Sequence, residues 1–406
     1  MWEIRTVTAD EVDLYRSRLA RGFGEDPETD EAGIERFSAV FEPDRMFGVF
    51  DRSDLVGTGG AFSLGVTVPG GATVPMGGTT MVTVQPTHRR QGILRELMGR
   101  HLDEVADRGE PIAGLWASES TIYGRFGYGP ATVRYQVEVN AARVNIDSDS
   151  PGDMRLLDAG EEAKILPDVY ESVRSERPGM LTRSREWWES RILANRRSQG
   201  GDMSRPRHVV HEHSGKADGY AIYRQKGKWQ EWVADGEVSV VEVITAGSES
   251  HRAVWAFLTN IDLFPRVTWW NAPVDDPLSL IVDDSRRVRR SLSDSLWIRV
   301  LNVPSALEAR SYEHDGVIVL GLHDATRSRS EGTYQLEVAG SQSSCEPSDA
   351  PPDVELDISV LGHLYLGGGN AVAMAGAGRI DGHPDAITTL HRLFRTDRAP
   401  WCPEAF

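Results

Sequence analysis

The stretch QPTHRRQGILRELM, Gln85 to Met98, constrains this chain more than any other. Before it, VPMGGTTMVTVQP reads as a strand closed by Pro86. After it, ILRELMGRHLDEVADRG places Ile93, Leu94, Leu97, Met98, Leu102 and Val105 on one side of an amphipathic helix, with Gly109 as the stop. PIAGLWAS follows, almost wholly apolar, as a buried strand should be. A strand, a basic glycine loop and a helix together form an anion site. The helix N-terminus offers unpaired N–H groups and roughly half a positive charge. Gly92 lets the backbone come close to a ligand, because it has no Cβ. Inward-turned N–H groups make a nest for phosphate oxygens, and Arg89 and Arg90 add charge-assisted hydrogen bonds. A Walker loop is absent, and so is the three-glycine dinucleotide fingerprint. An adjacent arginine pair in a loop is usually just solvated, so a second signal is needed.

That signal is SESTIYGRFGYGPA, Ser118 to Ala131, directly after the buried strand. It reads as a short helix holding Tyr123, then a glycine, then Phe126-Gly127-Tyr128. With this second signal, residues 1 to about 144 resemble the GNAT-type N-acetyltransferases. Their pyrophosphate loop is Arg/Gln-x-x-Gly-x-Gly/Ala, and a Tyr-x-x-x-Gly-Phe/Tyr box follows downstream. Here Leu94 replaces the small last residue of the loop, a departure that a helix start tolerates. Four stretches carry a closer likeness: VTVQPTHRRQGIL, IAGLWASES with IYGRFGYGPAT, LWIRVLNVPSAL, and the tail APWC ending in Phe406. Together they are similar to the Eis (enhanced intracellular survival) acetyltransferases along all three parts of the chain.

The rest of the sequence fits a multidomain α/β (α+β) protein. At 406 residues, two or three domains are expected. Strands and helices alternate up to TVRYQVEVN, whose Val133, Tyr135, Val137 and Val139 share one face. The polar NIDSDSPGD, Asn145 to Asp153, reads as a linker. The middle segment repeats the theme, with KWQEWVA read as a strand. The last part begins with the strand and helix of LWIRVLNVPSALEARSY. The resemblance implies an acetyltransferase domain over 1–144 and a degenerate copy over 145–290. A sterol-carrier-protein-like domain with a catalytic C-terminus then fills 291–406. The degenerate copy has AGSESHRAVW where the loop should be, so it is not expected to bind the cofactor that way. Trp187 and Trp188 are read there as packing or interface residues, and YLGGGN, Tyr365 to Asn370, as a turn.

The net charge of −17 should repel nucleic acid and anionic membranes and attract cations. No apolar run approaches the roughly 18–20 residues of a membrane span, and the N-terminus lacks a signal-peptide pattern. Cys345 and Cys402 cannot build a disulfide framework or a metal cluster. No metal is expected, and a cytoplasmic location is.

The resemblance implies acetyl-CoA as cosubstrate. Val82, Thr83 and Val84 would face its pantetheine arm, as an added strand would. Arg89, Arg90, Gln91, Gly92, Ile93, Leu94 and Arg95 would hold the pyrophosphate, and Ser118 and Glu119 would line the same cleft. Tyr123 would be the general acid, since a phenol near pKa ~10 is not badly mismatched to a thiol near ~8.5. No Asp-His pair is evident near the box, and His88 reads as a surface histidine. The family's base is the C-terminal carboxylate, here that of Phe406. The substrate-pocket candidates are Asp26, in the acidic stretch GFGEDPETDE where the family places a substrate-contacting acid, Phe23 and Phe37 as walls, and Glu404 in the tail. The implied activity is N-acetylation of cationic amines, most of all aminoglycosides at several positions, by a homohexamer. Two alternatives stand beside it: acetylation of protein or polyamine amines, and a non-catalytic lipid carrier or scaffold.

Overall fold

A computed structural model describes residues 2–27, 30–147, 151–194 and 203–406. Glu28 of the acidic stretch and residues 148–150 of the expected linker lie outside that set. Two compact units emerge. The first gathers Met1–Thr132, Pro178–Thr182 and Ser295–Phe406; the second gathers Val133–Arg177 and Arg183–Asp294.

The first unit holds a seven-stranded sheet. Its leading elements are β1 (Trp2–Thr6), α1 (Val12–Phe23), α2 (Glu31–Val40), β2 (Met46–Asp51), β3 (Asp54–Thr67), β4 (Thr73–Val84), α3 (Ile93–Asp107), β5 (Ile112–Trp116) and α4 (Ser120–Tyr123). The order is β1-β2-β3-β4-β5, then Leu296–Val300, then Gly129–Pro130. The β4–β5 pair is parallel, while its neighbours are antiparallel. α3 is the crossover between them. It buries Ile93, Leu97, Met98, Leu102 and Val105 of the stripe its period predicts, with Leu94 half-buried, together with His101. A five-stranded sheet completes this unit, in the order Gln342–Pro347, Gly332–Ala339, Gly316–His323, Val354–Asp357, Ile380–Gly382. Helix Pro384–Phe394 buries Leu390, Leu393 and Phe394.

The second unit has its own seven-stranded sheet, with a parallel pair between Glu237–Thr245 and Arg266–Pro273. Helix Ser248–Thr259 is the crossover there.

Two strands pair elsewhere than the sequence implies. Val133–Asn140 alternates as expected but pairs with Arg266–Pro273 and Val288–Asp294, in the second sheet. The first unit's opening stretch therefore stops at Thr132, short of residue 144. Leu296–Val300, read as the opening of the third part, inserts between β5 and Gly129–Pro130 instead. All five of its residues are buried, as a strand covered on both faces requires. Periodicity tells which face of a strand is buried but not which strand lies beside it. KWQEWVA is likewise not one strand. Trp229–Gln230 and Val233–Ala234 pair across a turn in which Glu231 and Trp232 take positive φ.

Candidate active site

The site starts from a fork in the sheet. β4 and β5 pair through Met76–Ile112, Gly77–Ala113 and Gly78–Gly114. Beyond these pairs β4 runs on to Val84 and β5 to Trp116. A bulge accompanies the separation. The β3–β4 register slips between Thr58 and Gly60, Met81 sits at φ 57°, and the Thr58 hydroxyl donates to Met81 O at 2.7 Å. Such a bulge bends its strand and interrupts pairing. Val82, Thr83 and Val84 lie on the diverging limb. Thr83 is buried and shares a 2.7 Å hydrogen bond with Thr58. Val82 and Val84 pack partly against core clusters.

The basic loop lies between this limb and α3. Arg90 and Gly92 both take left-handed backbone conformations, φ 63° and 90°. Gly92 is the residue before the helix, and nothing crowds the position of a Cβ there. Its glycine is therefore a matter of φ, not of space. The Glu96 N–H closes the first helical hydrogen bond on Gly92 O at 3.1 Å. The N–H groups of Ile93, Leu94 and Arg95 precede it and have no intrahelical acceptor. Arg89, Arg90, Gln91, Gly92 and Arg95 are exposed, whereas the Ile93 side chain is buried and Leu94 packs against the core. Ile93 and Leu94 thus anchor the loop and offer only backbone to a ligand. His88 is a surface residue, bonded to Thr87 at 2.8 Å and 3.5 Å from Asp51.

Past the other limb, Glu119 precedes α4 and Tyr123 closes it. Tyr123 is buried in the cluster that includes Ala113 and Leu115 of β5. Burial pushes its phenol up, and a hydrogen bond with Ser118 pulls it part of the way back. The phenol is a proton donor throughout the neutral range. Beneath it lies a network that the sequence reading missed. The Thr79 hydroxyl is 2.7 Å from both the Tyr128 hydroxyl and His101 Nε2, and the Tyr128 ring packs edge-on to Tyr123 at 6.2 Å. Burial, with Arg45 nearby, lowers the His101 pKa to about 3, so His101 is neutral. One signal was available: His101 sits in the apolar stripe of α3, between Met98 and Leu102.

The tail reaches the same fork. Side chains alternate across a strand. A Cβ on Gly77 would meet Val105 of α3, whereas one on Gly78 would lie 3.2 Å from the Phe406 ring. Phe406 thus lies on the face of β4 away from α3, at the last β4–β5 pair. Pro400 to Glu404 are buried, and the Cys402 thiol donates to Glu404 O at 3.3 Å.

The remaining candidates are less concentrated. Gly22 abuts Thr83, whose side chain would be 2.7–2.9 Å from a Cβ there, so Phe23 follows at the rim of the fork, 54% exposed. Asp26 is exposed in the segment after α1. Phe37 stacks on Phe41 at 5.0 Å, and Phe41 packs edge-on to Tyr15 at 5.2 Å, so Phe37 belongs to an aromatic stack. Among the described residues no group of three His, Cys, Asp or Glu side chains is placed to hold a metal. No helix there is long and apolar enough to cross a membrane.

Family profiles described as "Acetyltransferase (GNAT) domain" match residues 3–131 and 179–300, and a "Sterol carrier protein domain" profile matches 303–403. An "Uncharacterized N-acetyltransferase" of Streptomyces avermitilis is 37% identical, covering 100% of this chain and 99% of the relative. "N-acetyltransferase Eis" of Mycobacterium tuberculosis is 35% identical over 81% of this chain and 80% of its own length. The crystal structure of Eis1 from Mycobacterium abscessus superposes with a TM-score of 0.86 at 29% identity, covering 100% of both chains. The GNAT fold implies acetyl-CoA as cosubstrate. With two GNAT domains, a sterol-carrier-like domain and these relatives, the chain belongs to the Eis family of GNAT-type N-acetyltransferases.

Proposed function

We propose that the β4–β5 fork transfers acetyl groups from acetyl-CoA to the amines of small cationic molecules, aminoglycosides foremost, at more than one position. One observation carries the reading: at the β4–β5 fork the loop with left-handed Arg90 and Gly92 follows β4, the buried Tyr123 packs against β5, and the Phe406 ring lies against Gly78. The residues fit the cosubstrate. The first-turn N–H groups of α3, with Arg89, Arg90, Gln91 and Arg95, suit a pyrophosphate. The diverging limb Val82–Val84 suits an amide-bearing arm, and Ser118 and Glu119 line the far side.

In the proposed reaction the amine nitrogen attacks the thioester carbonyl. A C–N bond forms, the C–S bond breaks, and the departing thiolate takes the Tyr123 proton. The Phe406 carboxylate accepts the amine's proton. A carboxylate near pKa ~3.5 facing an ammonium near ~10 leaves a gap of about 6 units, roughly 8 kcal/mol. Neighbouring ammonium groups on a polyamine lower each other's pKa and narrow it. Asp26, Phe23, Phe37 and Glu404 are the proposed pocket residues, and the net charge of −17 favours the arrival of cations. A homohexamer in the cytoplasm belongs to this reading through the family resemblance.

The test is CoA release from acetyl-CoA with kanamycin, with mass spectrometry of the product. One or more added acetyl groups supports the reading. No release from an enzyme that still binds acetyl-CoA rejects the aminoglycoside and favours protein lysines. The sterol-carrier-like third part keeps a lipid-carrier reading in view. Acetyl-CoA should raise the Tm and a fatty acid should not; the reverse pattern favours the carrier.

A further inference from the structure

A short segment stands between β3 and the tail. β2 pairs with β3 only as far as Gly60, so the β3 edge beyond it needs another partner. Pro178–Thr182 supplies one over Gly65–Thr67. Gly179 N–H donates to Thr67 O and Thr182 N–H to Gly65 O, both at 2.8 Å. Thr67 N–H donates to Met180 O at 2.8 Å, and Gly65 N–H reaches the Thr182 hydroxyl at 3.0 Å. The same segment holds the tail, because Trp401 N–H donates to Pro178 O at 2.8 Å. Gly179 has φ 94°, and a Cβ on it would lie 2.9–3.1 Å from the Trp401 backbone. Both the turn and the close approach exclude a side chain there. From Trp401 the buried tail runs through Glu404, and Phe406 arrives over Gly78.

We infer that Pro178–Thr182 is a clamp that positions the C-terminal carboxylate at the fork, with Gly179 its critical positioning residue. This rests on the reading of Phe406 as the base. The place of Phe406 at the fork depends on what grips the residues before it. Here the grip is referenced to β3, the neighbour of β4, and therefore to the fork. Proximity effects are steep, and a misplacement of about 1 Å can cost 10²-fold in rate.

The experiment compares three full-length proteins: wild type, Gly179→Ala, and a chain lacking Phe406. For Gly179→Ala, kcat should fall about 10²-fold while acetyl-CoA affinity, measured by calorimetry, stays within about twofold. Carboxypeptidase should also release Phe406 faster. Wild-type kcat and wild-type release in Gly179→Ala would overturn the clamp. The Phe406 deletion separates this from the underlying reading. An inactive deletion beside a fully active Gly179→Ala overturns the clamp alone; a fully active deletion overturns the base and the clamp's purpose together. If Gly179→Ala does not fold, Thr182→Val removes the hydroxyl facing Gly65 N–H and should lower kcat, with Thr182→Ser restoring it. Equal kcat in both Thr182 variants and wild type would count against the clamp.

Discussion

The chain contains two strand–loop–helix–strand units of the same topology, and they differ at the point where a ligand would enter. In the first, Gln85 through Gly92 intervene between β4 and α3, with Arg90 and Gly92 in left-handed conformations. In the second, only Ala246 and Gly247 separate Glu237–Thr245 from the helix Ser248–Thr259. Ser250 occupies that helix start, its hydroxyl 3.4 Å from Gly247 N and 3.2 Å from Gly247 O. The forks differ too. The parallel pairing of the second unit ends at Val240–Trp269, and Trp270 Nε1 then donates to Val241 O at 3.1 Å, across the gap. Glu242 is taken by Arg183 and by the Tyr220 hydroxyl at 2.6 Å. The first unit carries a basic glycine loop at its helix start, whereas the second has a two-residue connection there and an indole bonded across its fork. Shared topology does not carry shared chemistry; the loop and the fork decide.

The sharpest way to break this contrast is to reverse the cationic loop. Arg89→Glu with Arg90→Glu should weaken acetyl-CoA binding by roughly 10³-fold, as two charge-assisted contacts become repulsions. Near-normal affinity by calorimetry would mean that the loop is only a solvated surface. Next comes Tyr123→Phe, which should lower kcat by about 10²-fold with acetyl-CoA affinity nearly intact. Unchanged turnover would remove Tyr123 from the mechanism.

A smaller effect concerns His101, buried in α3 of the first unit. Its folded pKa of about 3 lies below the unfolded value of ~6.5, so between these values the unfolded chain binds the extra proton. Its contribution to stability is complete above about pH 6.5 and is lost as pH falls, at up to ~1.4 kcal/mol per unit. From pH 7 to pH 5 the urea midpoint of wild type should fall more than that of His101→Gln. Parallel declines would contradict the buried neutral imidazole. The smallest expected change is in Trp270→Ala, which unplugs the second fork. It should add no acetyl-CoA site, because the loop is still missing. A second bound cofactor would show that the indole alone silences that domain.

The sequence made the first unit's strand–loop–helix–strand frame readable because its signals are local. The stripe of α3, the apolar run of β5, the glycine before the helix and the tyrosine box each lie within one short window. The strands Val133–Asn140 and Leu296–Val300 were readable as strands but not as neighbours. Their partners are distant in the chain, and any edge with matching hydrogen bonds would satisfy the same period. The Thr79–His101–Tyr128 network and the grip of Pro178–Thr182 on Trp401 also arise only when remote segments meet. The Phe406 assignment came from the resemblance, and that of Glu404 from its place two residues before it; no spacing or composition in APWCPEAF says where the tail will dock.

The central claim is that each chain has one working cofactor site, the β4–β5 fork of its first acetyltransferase domain. Calorimetric titration of acetyl-CoA into the full-length protein tests it most directly. The account predicts one bound molecule per chain, lost when Arg89 and Arg90 are reversed. Two molecules per chain, or one that survives the reversal, would contradict it.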